Sequence, residues 1–373
     1  MKTGNRVTAG LVLSVMAGVG VFAQGQEPTL RERLLSYLAS EYGKHILSGQ
    51  MDTSWDDSMD MIRRVFVDTG KYPAIKGFDY LNIRNPSFGG GGSKQTEEAI
   101  AWWQNPPIPG KHGIVAFCWH WRMPRTGLQR AANDEFYTAF ASNNHTTFRI
   151  PYDAATSRLK TESAEFSLIK EDLDLVAVEL AKLKAAGVPV LWRPLHEASG
   201  NWFWWGTGSG AQVSNSPAAY KALWEYIYHY YVEVKALDNL VWVWNGQRRD
   251  LYPDPATVDI VGQDIYPAVR NGVPDFSSQF ARYAESATYN SAPRIIAYTE
   301  NGTMPDPDQL ISDGAKWSFF MTWNDGWQST QGQTDANNFW TGEYHNPQAH
   351  KEKVYRHEYT ITLDELPDLS QYR

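Results

Sequence analysis

The chain predicts an α/β fold: a closed (β/α)8 barrel of the TIM type, with extended βα loops at the C-terminal face of its strands. Three observations predict it. Eight short apolar or β-branched runs recur along 373 residues, helix-patterned segments separate most of them, and no glycine-rich phosphate turn opens any of those helices. The runs are His45 to Gln50, Tyr72 to Phe78, Gly113 to Trp119, Val188 to Leu195, Leu240 to Trp244, Val258 to Ile265, Arg294 to Thr299 and Trp317 to Met321. Each is short enough for a strand buried on both faces, which is what parallel strands covered by helices require.

The clearest helix signal covers Ser167 to Ala186, where Ile169, Leu173, Val176, Leu180 and Leu183 follow four-three spacing and Gly187 stands as a stop. Similar patterns cover Asp56 to Asp68, Pro217 to Lys235 and Phe276 to Thr288, whereas the connection near Leu251 to Ala256 is short and proline-rich. Irregular stretches follow the second, third, fourth and eighth strands, among them Asn82 to Ser93, Arg122 to Glu165 and Gln328 to Pro347. Lengthened loops at that end would wall a cleft.

Met1 to Ala23 carries Lys2 and Arg6, then the apolar stretch Leu11 to Phe22, and ends in Val21-Phe22-Ala23. This fits a cleaved export signal better than an anchor, because the apolar stretch is short and interrupted by Gly18 and Gly20. The barrel domain is then expected over residues 24–373, in the periplasm or outside the cell, without membrane insertion. Cys118 is the single cysteine, so no disulfide framework and no lipid-bearing cysteine is expected, and the thiol reads as buried and inert. A net charge of -8 argues against nucleic acid as partner. The 16 Trp and 20 Tyr suit both sugar faces and core packing, so their positions must decide.

Two of the runs lead into a glutamate: Glu197 in Trp192-Arg-Pro-Leu-His-Glu, and Glu300 in Ile295-Ile-Ala-Tyr-Thr-Glu. Strand ends are where barrel enzymes keep their chemistry. A carboxyl group among tryptophans prefers its proton, and one reached by donors prefers its charge, which is the division of labour that cutting a glycosidic bond requires. Alternation along a strand places Arg193 and Glu197 on one face, and likewise Tyr298 and Glu300. Tyr266 and Trp323 follow the sixth and eighth strands, and Phe117-Cys-Trp-His-Trp121 places His120 and Trp121 at the rim of the third.

Each of these residues also has a plain structural use. A lone strand-end glutamate is more often solvated or salt-bridged, Tyr266 and Trp323 suit a core equally, and at least one of Phe203 and Trp204 is expected to be core. The His196-Glu197 pair is not a zinc motif, because Gly200 and Asn201 stand where a second histidine would be needed. No glycine-flanked nucleophile serine is present, so acyl transfer has no support.

The stretches Arg193-Pro-Leu-His-Glu-Ala-Ser-Gly-Asn-Trp-Phe-Trp-Trp-Gly206 and Tyr298-Thr-Glu-Asn-Gly302 resemble those of glycoside hydrolase family 26, chiefly secreted β-mannanases. Shorter matches fall in order: Ile46 to Gln50, Pro73 to Asp79, Trp119 to Trp121 and Asp264 to Tyr266. The resemblance implies retaining hydrolysis of β-1,4-mannosidic bonds in mannan, galactomannan or glucomannan, with no metal or organic cofactor. It implies Glu197 as acid/base and Glu300 as nucleophile. His196, Trp202, Tyr266 and Trp323 would surround the cleaved sugar, Tyr266 and Arg193 would orient Glu300, and His120 with Trp121 would meet the neighbouring sugar. Asn324 stands where some such mannanases carry an arginine that grips that neighbour, which bears on endo against exo attack. The same barrel could instead serve β-1,3-xylan or mixed-linkage β-glucan, or bind glycan without cutting it.

Overall fold

In a computed structural model, the residues described are 27–53, 60–84, 89–126, 136–138, 146–209, 214–325 and 338–373. The export signal therefore lies outside them, as do Asp56 to Met59 of an expected helix and parts of the three expected long loops. Eight parallel strands close on themselves: β1 (Gly49–Met51), β2 (Ile75–Asp79), β3 (Ile114–Cys118), β4 (Val190–Arg193), β5 (Leu240–Trp244), β6 (Ile260–Ile265), β7 (Ile295–Asn301) and β8 (Phe320–Thr322). Each falls within or against one of the eight expected runs. Neighbours in the barrel are neighbours in sequence, and β8 returns to β1 through Thr322 and Gln50.

Helix α1 (Leu30–Glu41) precedes the barrel, and α2 (Met61–Thr69), α3 (Gly89–Gln104), α4 (Ala164–Ala185), α5 (Pro217–His229), α6 (Phe280–Ser286), α7 (Pro307–Asp313) and α8 (Gln348–Arg356) follow strands β1 to β4 and β6 to β8. After β5 two short 3-10 turns, Arg249–Leu251 and Pro255–Thr257, replace a helix, as the prolines there required. The expected α4 stripe is its buried face: Ile169, Leu173, Val176, Leu180 and Leu183 are all sealed, each contributing about 1.5–3 kcal/mol by leaving water. Ser163 caps its start by accepting the Phe166 N–H, which sets the boundary a few residues before the apolar pattern begins.

Three expected boundaries move for local reasons. Helix α2 starts at Met61 because the Asp60 side chain accepts the Arg63 N–H. Helix α5 ends at His229, and its last expected turn is a π-helical one, Tyr230–Val234. The backbone is already helical at Gly89, inside a stretch expected to be irregular up to Ser93. Inside the barrel, Met51 and Met321 fill the space left by Gly77, where a Cβ would strike both sulfurs. The barrel interior is therefore a packed core that seals the floor beneath the strand ends.

Candidate active site

Strand β4 delivers Arg193 and then stops, and the chain reaches Glu197 through a turn. Leu195 and Glu197 have φ of 51° and 54°, so simple alternation, from which a shared strand face was expected, is not what carries Glu197 to the cleft. A positive φ at a non-glycine residue costs about 1–3 kcal/mol. Hydrogen bonds oppose that cost: the Glu197 N–H donates to the Asn245 main-chain oxygen at 2.7 Å and to its Oδ1 at 3.0 Å. The following turn folds Trp202 back so that its indole N–H donates to Glu197 Oε2 at 2.8 Å. Gly200 makes this possible, since a Cβ there would lie 2.5 Å from the indole ring. Phe203, Trp204 and Trp205 are buried, and their loop is tied by Trp205 Nε1 to the His196 carbonyl at 2.8 Å.

Strand β7 also departs from alternation. Tyr298 pairs with Gln263 and Glu300 with Asp264, so two residues of β7 answer one step of β6. This bulge separates residues expected on one face. Tyr298 packs outward, 5.4 Å from the Trp317 ring, with its hydroxyl on the Ile265 carbonyl. Thr299 and Glu300 both turn to the barrel axis. Glu300 accepts from the Arg193 guanidinium and, at 2.7 Å, from the Tyr266 hydroxyl. Both are donors, and the guanidinium is a cation, so these are charge-assisted contacts.

Glu197, Asp264 and Glu300 each present a carboxylate oxygen within 4.8 Å of the others. Burial, followed by the charges of Asp264 and Glu300, holds the Glu197 carboxyl well above the usual carboxylate range. Asp264 takes Arg193 at 2.7 Å, Thr299 at 2.6 Å and Asn245 at 2.8 Å. Burial pushes it up to about 7 against the pull of those donors. Among the described residues two side-chain sets have the spacing to hold a metal ion: this one, and Asp79, Cys118 and His120. In the first, Arg193 already sits between Asp264 and Glu300 as the cation. In the second, burial pushes the Cys118 thiol well up, keeping it neutral as expected of an inert cysteine.

His120, His196 and Trp323 meet beside the pair. His120 Nδ1 lies 2.6 Å from Asp79, and its Nε2 lies 3.3 Å from His196 Nε2. Burial holds His196 well below the ordinary histidine range, so it is neutral. Trp323 is half-buried with its ring 5.5 Å from His120. Trp121 is the residue the structure does not bring to the cleft. Alternation persists past the end of β3, so Trp121 shares the outward face of Trp119, stacks on it at 4.1 Å and donates its indole N–H to Asp172 of α4 at 2.7 Å. At 1% exposure it has no surface to offer a sugar. Asn324 is likewise turned into the wall, its amide on the Asp52 carbonyl at 3.2 Å.

Sequence reasoning missed Asp264, Asn245, Thr299, Asp79 and Tyr137 as members of the site. A signal existed for four of them. Asp79, Asp264 and Thr299 lie in the stretches Pro73 to Asp79, Asp264 to Tyr266 and Tyr298 to Gly302, and Asn245 is a polar residue placed directly after the all-apolar β5. Tyr137 had none, since it comes from a long loop. It is 38% exposed, its ring 5.8 Å from Phe203, and burial with the charges of Glu197 and Glu300 raises its hydroxyl.

The model of glycosyl hydrolase family 26 matches residues 23–365. A mannan endo-1,4-beta-mannosidase of Thermothelomyces thermophilus is 36% identical over 335 residues, 89% of this chain and 60% of the relative. Mannan endo-1,4-beta-mannosidase B of Piromyces sp is 32% identical over 350 residues, 91% of this chain and 52% of the relative. The chain thus spans between half and three-fifths of the length of these curated relatives. Among solved structures, a GH26-CBM35 beta-(1,4)-mannanase of Podospora anserina is similar at TM-score 0.73 and 32% identity, over 92% of this chain and 68% of that one. A beta-mannanase from a symbiotic protist of the termite Reticulitermes speratus, complexed with gluco-manno-oligosaccharide, gives TM-score 0.73 and 29% identity over 95% and 98%. With its whole barrel and both strand-end glutamates inside the matched residues, the chain belongs to glycosyl hydrolase family 26.

Proposed function

We propose that this protein hydrolyses β-1,4-mannosidic bonds of mannan, galactomannan or glucomannan with retention of configuration. One observation carries the reading: two carboxyl groups within 4.8 Å sit in opposite environments, one kept protonated and the other clamped by a guanidinium and a phenol. Retaining enzymes hold their carboxyl groups about 5–5.5 Å apart, whereas inverting ones leave about 6.5–9.5 Å for a water. In the first step Glu300 attacks the anomeric carbon as Glu197 gives its proton to the departing glycosidic oxygen, leaving a mannosyl ester on Glu300. Esterification removes the Glu300 charge, so the Glu197 carboxyl loses one reason to keep its proton and becomes a base. It then takes a proton from the water that attacks the ester, and both groups are restored. His196, Trp202, Tyr266 and Trp323 would surround the cleaved sugar and exclude water, strengthening each remaining polar contact. His120 would meet the neighbouring unit.

Mannan as substrate is supported by the names of the relatives and by the Trp202-Phe-Trp-Trp-Gly206 frame. Export to the periplasm or medium is supported by Lys2, Arg6 and the apolar Leu11 to Phe22. The test is sugar release from linear mannan, galactomannan, β-1,3-xylan and mixed-linkage β-glucan, with NMR of the first-formed anomer. Release from the mannans with the β-anomer first is expected. Preference for xylan or β-glucan would change the substrate, α-anomer first would remove the ester, and no release would leave glycan binding alone.

A further inference from the structure

We propose that Asn245 is the positioning residue that keeps the two catalytic carboxylates in one register, an inference that rests on the hydrolytic reading above. Asn245 is fully buried at the end of β5, between the two strands that carry Glu197 and Glu300. Its carbonyl and Oδ1 both receive the N–H of Glu197, the residue held at positive φ. Its Nδ2 donates to Thr299 Oγ1 at 2.6 Å and to Asp264 Oδ1 at 2.8 Å. Thr299 is the extra residue of the β7 bulge, immediately before Glu300, and Asp264 holds the other end of the Arg193 fork that clamps Glu300. One amide therefore touches the backbone that aims the acid and the bulge that aims the nucleophile. An amide suits the place because it offers acceptor and donors at once, and every one of these groups is matched.

Gly262 of β6 belongs to the same device. A Cβ there would lie 2.7 Å from Thr299 Oγ1 and Cγ2 and 3.1 Å from Asn245 Nδ2, so only a glycine leaves room for the two side chains to meet. The charged and titratable groups facing this cluster are Arg193 and Glu197 from β4 and its turn, Asp264 from β6, Glu300 from β7, Cys118 from β3 and Tyr266 beyond β6.

Asn245→Asp preserves shape and the acceptor for Glu197 but replaces the Nδ2 donor by an oxygen facing Asp264. On linear mannan its kcat should fall at least about 10-fold with KM within about two-fold, and the alkaline limb of its pH profile should move to higher pH because the added negative charge holds the Glu197 proton. Thr299→Val should show a similar kcat loss at unchanged KM, and Thr299→Ser should recover most of it. A merely structural role would lower Tm and the fraction of active sites while leaving kcat per titrated site and the pH profile alone. Wild-type kcat and pH profile in Asn245→Asp, or equal kcat in Thr299→Val and Thr299→Ser, would overturn the proposal. If Asn245→Asp does not fold, the Thr299 pair decides alone. Failure of the wild type to release sugar would instead overturn the hydrolytic reading itself, so the two failures are distinct.

Discussion

The ends of β4 and β7 present the same functional group and treat it in opposite ways. At the β4 end Glu197 receives one neutral indole N–H, is largely withdrawn from water and faces two other carboxylates. At the β7 end Glu300 receives a guanidinium and a phenolic hydroxyl. The difference teaches that neighbours, rather than the glutamate itself, set apart the carboxyl proposed as acid from the one proposed as nucleophile. The backbone differs too: a turn with positive φ aims the first, and a β-bulge aims the second. Both are local departures from regular strand geometry, of the kind found where side chains must be aimed.

Breaking the β7 side should cost most. Glu300→Ala should reduce mannan turnover by about 10⁴-fold or more while glycan affinity, measured by calorimetry, stays within a few-fold, because no ester can form. Appreciable residual turnover would contradict the nucleophile assignment. Breaking the β4 side should cost less with an easy leaving group: Glu197→Ala should give a burst on an activated aryl mannoside and then stall, and absence of the burst would remove Glu197 as acid. The raised Glu197 carboxyl also fixes a sign. It keeps its proton above the ordinary carboxylate range, so kcat/KM persists there and falls as pH rises through the raised value. Tyr266→Phe, which deletes one of the two donors to Glu300, should lower kcat about 100-fold, the lower end of what a lost charge-stabilising donor costs. Stopped-flow comparison with wild type checks it, and an unchanged rate would mean Arg193 alone suffices.

The smallest expected effect separates cleft from core on the β3 rim. Trp121→Phe should leave KM on mannan unchanged and lower stability by about 1–3 kcal/mol, because it strips a partner from buried Asp172. Denaturant melts and steady-state kinetics would show it. A raised KM with unchanged stability would return Trp121 to the sugar. His120, one residue earlier, faces the cleft, and the contrast follows from strand alternation alone.

That contrast marks how far the sequence was legible. Eight apolar runs, the α4 stripe and the proline-rich gap after β5 determine the barrel, since burial of both strand faces needs only composition and period. The two glutamates and Tyr266, His196, Trp202 and Trp323 were visible as residues at strand ends. Face assignment was legible only where alternation holds, as at His120 and Trp121, because Tyr298 and Glu300 are two apart yet point opposite ways across a bulge, and Glu197 leaves the strand before it matters. Asn245, Asp264 and Thr299 come from three strands, and their value lies in touching one another. Sequence by itself determined the barrel and the chemical groups at its mouth. Only tertiary structure decided which carboxyl keeps its proton and which side chains reach the cleft, because hydrogen-bond partners and local dielectric are set by residues distant along the chain.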